Sequence, residues 1–129
     1  MKHHVLVLDD EADVRTAIQL QLKDTHFEIL GAENFEQAIG LLNDNPISID
    51  VIICDVRMPG VSGVEAVATF LREYPKTPVI VLTGFPDVDL AVDFLKKDGV
   101  VDYLTKPVEK DKLIAAVEQA AQGRKLFGI

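Results

Sequence analysis

Short runs of Val, Ile and Leu alternate with amphipathic stretches along the whole chain. The runs Val5–Leu8, Phe27–Ala32, Val51–Cys54, Val79–Leu82 and Val101–Leu104 are brief and rich in branched residues. That pattern predicts five strands covered on both faces. Between them, apolar residues recur at helical spacing. Val14, Ala17, Ile18 and Leu22 form the first stripe, and Phe35, Ala38, Ile39 and Leu42 the second. Val64, Val67, Ala68 and Leu71 form the third, Val88, Ala91, Val92 and Leu95 the fourth, and Leu113, Ala116, Val117 and Ala120 the fifth. One stripe per helix means one face on a sheet and the other in water.

The punctuation agrees with this division. Asn34 with Gln37 and Ser62 with Glu65 read as capping boxes, and Asp87 as the N-cap of the fourth helix. Gly99 suits the left-handed residue that follows a helix. Asn45-Pro46 and Tyr74-Pro75 stop the second and third helices. Strict alternation of strand and helix gives a parallel sheet with right-handed crossovers and helices on both faces. In such open sheets the functional crevice lies beyond the carboxyl ends of the strands.

Four polar sites fall at those ends. Asp9-Asp10 follow the first run, Asp55 the third and Thr83 the fourth. Lys106 follows Asp102-Tyr103-Leu104-Thr105. Three carboxylates in a small space repel one another and raise at least one pKa. A hard divalent cation relieves that repulsion, and Mg²⁺ favours one or two carboxylates plus waters. An ammonium and a hydroxyl add what a phosphoryl group needs on its equatorial oxygens. The set therefore fits a carboxylate nucleophile that forms an aspartyl-phosphate. Each residue also has a plainer reading: loop and cap for the aspartates, surface for Lys106, a satisfied strand end for Thr83.

Composition narrows the function classes. The 129 residues are one domain's length, 48% hydrophobic and 26% charged. A net charge of −8 and a pI near 4.7 argue against direct binding of nucleic acid or an anionic membrane. No apolar stretch approaches a bilayer span. A single cysteine, Cys54, excludes an intrachain disulfide and fits a reducing compartment. With strand-like sequence starting directly after Met1-Lys2-His3-His4, no signal peptide is expected, and the expected location is cytoplasmic.

The motifs Leu8-Asp9-Asp10-Glu11, Asp55-Val56-Arg57-Met58-Pro59-Gly60, Leu82-Thr83-Gly84 and Tyr103-Leu104-Thr105-Lys106-Pro107 occur in this order. With them the chain resembles, from about Lys2 to Gln122, the CheY-like receiver domain of two-component response regulators. The resemblance implies a flavodoxin-like, doubly wound sheet of order 2-1-3-4-5 with five helices. It implies that residues 1–123 form the receiver domain and 124–129 a tail or the start of a linker. It makes Asp55 the phosphoacceptor for a sensor histidine kinase or phosphotransfer protein. It assigns Mg²⁺ to Asp10, Asp55 and the backbone carbonyl of Arg57, with Asp9 acting through water. Thr83 and Lys106 would bind phosphoryl oxygens, and the Lys106-Pro107 bond would be cis. Tyr103 would be the switch aromatic, turning into space that Thr83 vacates; it also reads as an ordinary half-buried strand residue. Arg57 and Phe85 hold positions that tune phosphoryl lifetime. An output domain or effector is the implied partner. A homodimer through the fourth helix, fifth strand and fifth helix is a further expectation of the resemblance.

Some features depart from the family pattern. The stretch Lys96-Lys97-Asp98-Gly99-Val100-Val101 is one residue longer than usual, with Val100 where the family mostly has Ala. A haloacid-dehalogenase-like phosphohydrolase also uses an aspartate after a strand, but Arg57 stands where its second aspartate belongs. A nucleotide-binding reading lacks a G-x-G-x-x-G or Walker loop. His3, His4 and His26 read as surface histidines without ligand spacing, and Cys54 as a buried apolar residue. Leu126, Phe127 and Ile129 are too apolar for a free tail and read as docking residues or as the start of a linker.

Overall fold

The computed structural model describes residues 3–44, 48–57, 62–85 and 87–127. Its elements run β1 (His3–Leu8), α1 (Ala12–Gln21), β2 (Phe27–Ala32), α2 (Phe35–Asp44), β3 (Val51–Asp55), α3 (Gly63–Glu73), β4 (Val79–Thr83), α4 (Val88–Leu95), β5 (Val100–Thr105) and α5 (Lys110–Phe127). The strands pair in parallel in the order β2-β1-β3-β4-β5. This is the flavodoxin-like, doubly wound sheet. Asp55 and Thr83 are the last residues of β3 and β4 rather than the first residues beyond them.

Side chains alternate between two apolar layers, as the pleat requires. Val5, Val7, Val51, Ile53, Ile80 and Leu82 join Ile18 of α1 and Leu113 of α5. Leu6, Leu8, Ile52, Cys54, Val79 and Val81 join Ala38 of α2, Phe70 of α3 and Phe94 of α4. Every residue of β3 and β4 is buried. Strands covered on both sides cannot slip by one residue without exchanging the layers, so the register is firmly set.

The edge strand β5 breaks that regularity once. Val79 pairs with Val100, but Ile80 pairs with Asp102, so Val101 is an extra, bulged residue. With regular pairing beyond Val79, Asp102 would oppose Val81 and turn a carboxylate toward the α4 layer. With the bulge, Tyr103 opposes Val81 and Leu104 opposes Leu82, each on the matching layer. Val101 thus forms a β-bulge at the end of the stretch Lys96–Val101.

The helix caps follow the expected residues. Asn34 Oδ1 accepts from the Gln37 amide at 2.8 Å, and Gln37 Oε1 accepts from the Glu33 amide at 2.9 Å. Ser62 accepts from the Glu65 amide at 3.1 Å, and Asp87 from the Leu90 amide at 3.1 Å. Tyr74 caps the end of α3. Asn45-Pro46, the predicted stop of α2, lies outside the described residues.

Three details differ from expectation. Gly99 has φ +98°, but α4 already ends at Leu95, so this glycine forms the turn into β5, where its carbonyl accepts from the Val79 amide at 2.8 Å. Asp24 takes φ +66° between α1 and β2, a conformation that Asp tolerates better than most side chains. Helix α5 continues to Phe127, so residues 124–127, read as a tail or the start of a linker, are helical. The side chains of Leu126 and Phe127, and all of Ile129, lie outside the described part.

Candidate functional site

The carboxyl ends of β1, β3, β4 and β5 meet at one edge of the sheet. Backbone hydrogen bonds carry the pairing past the strand ends. The Val56 amide donates to the Leu82 carbonyl at 3.1 Å, and the Lys106 amide to the Thr83 carbonyl at 2.7 Å. The loops therefore start from fixed positions, and the side chains at those ends converge.

Asp9 and Asp55 are buried, with relative exposures of 0% and 1%. Each carboxylate is held by a backbone amide two residues on. The Glu11 amide donates to Asp9 Oδ1 at 2.9 Å, and the Arg57 amide to Asp55 Oδ1 at 3.0 Å. The remaining oxygens face Lys106. Its ammonium lies 2.8 Å from Asp9 Oδ2, 3.1 Å from Glu11 Oε1 and 3.2 Å from Asp55 Oδ2. The Asp9 contact is an ion pair off the direction of a hydrogen bond, so Asp9 Oδ2 has no hydrogen-bond partner among the described residues. The Lys106-Pro107 peptide bond is cis, as expected.

The electrostatics follow from burial. Burial raises the pKa of Asp55 above the usual carboxylate value; the Arg57 amide opposes it, the Asp9 charge reinforces it and Lys106 opposes it. Burial alone would lower Lys106, but Asp9 and Glu11 contacts and the Asp9 and Asp55 charges hold its ammonium above the ordinary range. Burial, then Asp55 and Asp9, pushes the Cys54 thiol far up, which leaves it a small apolar residue and not a nucleophile.

Oxygen atoms of Asp9, Asp10, Glu11 and Asp55 lie within 4.8 Å of one another, so this group could hold a metal ion. Two members are buried and two exposed, which leaves an open approach from solvent. The donors are all hard oxygens, the set that Mg²⁺ and Ca²⁺ prefer. Asp9 Oδ2, ion-paired to Lys106 but without a hydrogen-bond partner among the described residues, is a buried carboxylate oxygen that a cation would satisfy. The site therefore fits a hard divalent cation.

Thr83 is buried, and its hydroxyl is engaged locally. It accepts from the Phe85 amide at 3.1 Å and turns toward the Phe85 carbonyl at 3.4 Å. Tyr103 sits one strand away, half-buried, with its ring centroid 6.4 Å from that of Phe94. Its hydroxyl oxygen is buried without a hydrogen-bond partner among the described residues.

Sequence reasoning missed two things here. Glu11 belongs to the acidic group and to the Lys106 contacts; its place beside Asp9-Asp10 was the available signal. The Arg57 guanidinium carbon sits 4.4 Å from the centre of the Phe85 ring, which no spacing in the chain foretells. The histidines need correction. His3 and His4 lie in β1, half-buried, at the opposite end of the sheet. His3 Nδ1 is 3.6 Å from Asp50 Oδ2, and His4 Nε2 is 3.4 Å from Glu28 Oε2. Only His26 is exposed. Met58, Pro59 and Gly60 of the motif after Asp55 lie outside the described residues.

No helix among the described residues is long and apolar enough to cross a membrane. The chain is 37% identical over 120 residues to the transcriptional regulatory protein FixJ of Bradyrhizobium diazoefficiens, covering 92% of this chain and 57% of FixJ. It is 35% identical over 124 residues to a putative NtrX-like response regulator of Rickettsia typhi, covering 95% of this chain and 26% of that protein. The chain thus spans a part of these longer relatives. A response regulator receiver domain protein from Clostridium thermocellum has a crystal structure that superposes with a TM-score of 0.87 at 34% identity, over 97% of this chain and 98% of that one. The family model of the response regulator receiver domain matches residues 5–118, and the chain belongs to that family of two-component signalling domains.

Proposed function

We propose that the domain is a Mg²⁺-dependent phosphoacceptor switch, with Asp55 as the acceptor. The observation that carries this reading is the buried Asp55 carboxylate, raised in pKa, with the Lys106 ammonium 3.2 Å away and an open acidic mouth beside it. A carboxylate that is poorly solvated and incompletely neutralised is a ready nucleophile for phosphorus. Asp55 attacks in line. A P–O bond forms as the donor's P–N bond breaks, and the imidazole of the phosphohistidine leaves with the electron pair. Lys106 moves from the carboxylates to an oxygen of the transferred group. The Thr83 hydroxyl leaves the Phe85 backbone and donates to another.

Asp10, Asp55 and the Arg57 carbonyl would hold Mg²⁺, with Asp9 acting through water. Bound there, the ion would offset the charge on the phosphoryl oxygens. The domain acts on itself and has no outside substrate. Residues 1–123 are the receiver unit, working in the cytoplasm with a sensor histidine kinase or phosphotransfer protein as donor.

Tyr103 fits the role of relay for a physical reason. Its ring packs near Phe94 while Thr83 is still held by the Phe85 backbone, yet its buried hydroxyl lacks a partner among the described residues. An unpaired buried polar group costs about 1–3 kcal/mol. That cost weakens the observed ring position, so a small change at Thr83 could tip the ring to another. The surface of α4, β5 and α5 changes with the ring. That surface would contact an output domain, an effector or a second copy of the chain.

The test is incubation of the full chain with acetyl phosphate and Mg²⁺, read by intact mass. A base-labile phosphoryl adduct is expected, and Asp55→Asn or removal of the cation abolishes it. Unchanged mass with acetyl phosphate and phosphoramidate alike would sink this reading.

A further inference from the structure

Asp55 and Thr83 end neighbouring strands, and each is tied to the residue two positions on. The Arg57 amide donates to Asp55, and the Phe85 amide donates to Thr83. The side chains of those two following residues then meet, the Arg57 guanidinium lying 4.4 Å from the centre of the Phe85 ring. Phe85 is 62% exposed, so burial does little to fix the ring. Among the described residues, the attraction between a cation and the ring face is a contact that holds it.

We propose that the Arg57–Phe85 stack is a positioning latch that keeps the Thr83 hydroxyl in its resting place. The proposal rests on the phosphoacceptor reading above. For Thr83 to reach a phosphoryl group on Asp55, its hydroxyl must give up the Phe85 backbone. The start of the β4–α4 connection then shifts, and Phe85 shifts with it. The Arg57 backbone is held by its amide on Asp55, so the guanidinium can follow only by stretching away from its resting rotamer. The stack therefore opposes the movement, and breaking it favours capture of the phosphoryl group. Neither side chain touches the reacting atoms, so both act through Thr83.

A competing account lets Arg57 attract donors by charge and Phe85 obstruct them by size, independently. A double-mutant cycle separates the two. Rates of adduct formation from acetyl phosphate are measured for the full chain with Arg57→Ala, Phe85→Leu and both together. Each single substitution is expected to accelerate capture roughly two- to fivefold, the range for one exposed cation–π contact. The double variant is expected to be no faster than the faster single, because one contact is lost in each case. Arg57→Lys, which keeps a cation over the ring, should fall between Arg57→Ala and the unsubstituted chain. Amide hydrogen exchange at Phe85, followed without any phosphodonor, should quicken roughly two- to fivefold in Arg57→Ala. Rates that multiply in the double variant, or unchanged exchange at Phe85, overturn the latch. Absence of an adduct on the unsubstituted chain overturns only the phosphoacceptor reading, and the exchange result then decides the stack by itself.

Discussion

Helices α3 and α4 lie against the same apolar layer, yet they are held in different ways. Helix α3 buries Gly63, Ala66, Val67 and Phe70. Helix α4 buries only Phe94, although six of its eight residues are apolar, and it leaves Val88, Val92 and Leu95 exposed. Apolar content therefore does not measure attachment. The difference matches what each helix adjoins. Helix α3 is locked to the strand of Asp55, because a Cβ on Gly63 would stand 2.0 Å from Val56 Cα. Helix α4 hangs on Phe94 beside Tyr103, whose hydroxyl has no partner among the described residues. The helix beside Asp55 buries four residues and the helix beside Tyr103 buries one, a contrast that lets a small stimulus move one element and leave the other in place.

The largest expected effect tests that contrast directly. Phe70→Ala should lower the unfolding free energy by about 3–5 kcal/mol, as for a fixed core aromatic. Phe94→Ala should cost less, and should show first as faster hydrogen exchange in α4 with α3 unaffected. Equal costs and uniform exchange would erase the distinction. Gly63→Ala comes next. Alanine favours helix over glycine, but there is no room for the methyl against the Val56 backbone, so a net loss of about 1–3 kcal/mol is expected in urea unfolding.

Asp55→Asn should act in the opposite direction, stabilising by on the order of 1 kcal/mol at neutral pH. Burial, reinforced by Asp9 and opposed by Arg57 and Lys106, raises the folded-state pKa of Asp55. Between the ordinary carboxylate value and that raised value, the folded chain holds a proton that the unfolded chain has released. Stability of the aspartate form therefore falls as pH rises through this window. The asparagine advantage should be full above the window and absent below about pH 4, the ordinary Asp value. Urea midpoints for both proteins across that range give the answer. The smallest effect is expected on the outer face of α4, where Val88→Ser and Leu95→Gln should change stability by no more than about 0.5 kcal/mol. A loss well beyond that at either position would mean that α4 is covered in solution, and sedimentation would then show a larger species.

The order of elements was legible because its causes are local: side-chain periodicity, caps at Asn34, Ser62 and Asp87, and the stop at Tyr74. Asp9, Asp10, Asp55 and Lys106 lie close together, and Thr83 ends the neighbouring strand, because strand ends in a parallel sheet share one edge. What escaped depends on distance through space. Gly63 reads as an ordinary helix-start residue until the Val56 backbone is seen against it. Gly99 was recognised as left-handed but assigned to the wrong turn, because nothing in the sequence says that α4 stops at Leu95. The Arg57–Phe85 contact joins residues on separate loops. His3 and His4 gained acidic neighbours only when β1, β2 and the chain before β3 came together.

The bulge at Val101 has a consequence for how such a domain can vary. Residues before it and after it count their faces separately, because the bulge resets which side is which. A connection leading into β5 can gain a residue there without turning Asp102 toward the α4 layer or displacing Tyr103 from its place opposite Val81. Lys106, three residues beyond Tyr103, keeps its aim at Asp9 and Asp55. The outer surface can thus be lengthened and reshaped while the chemistry stays in phase, much as a spacer ahead of a reading frame leaves the message unchanged.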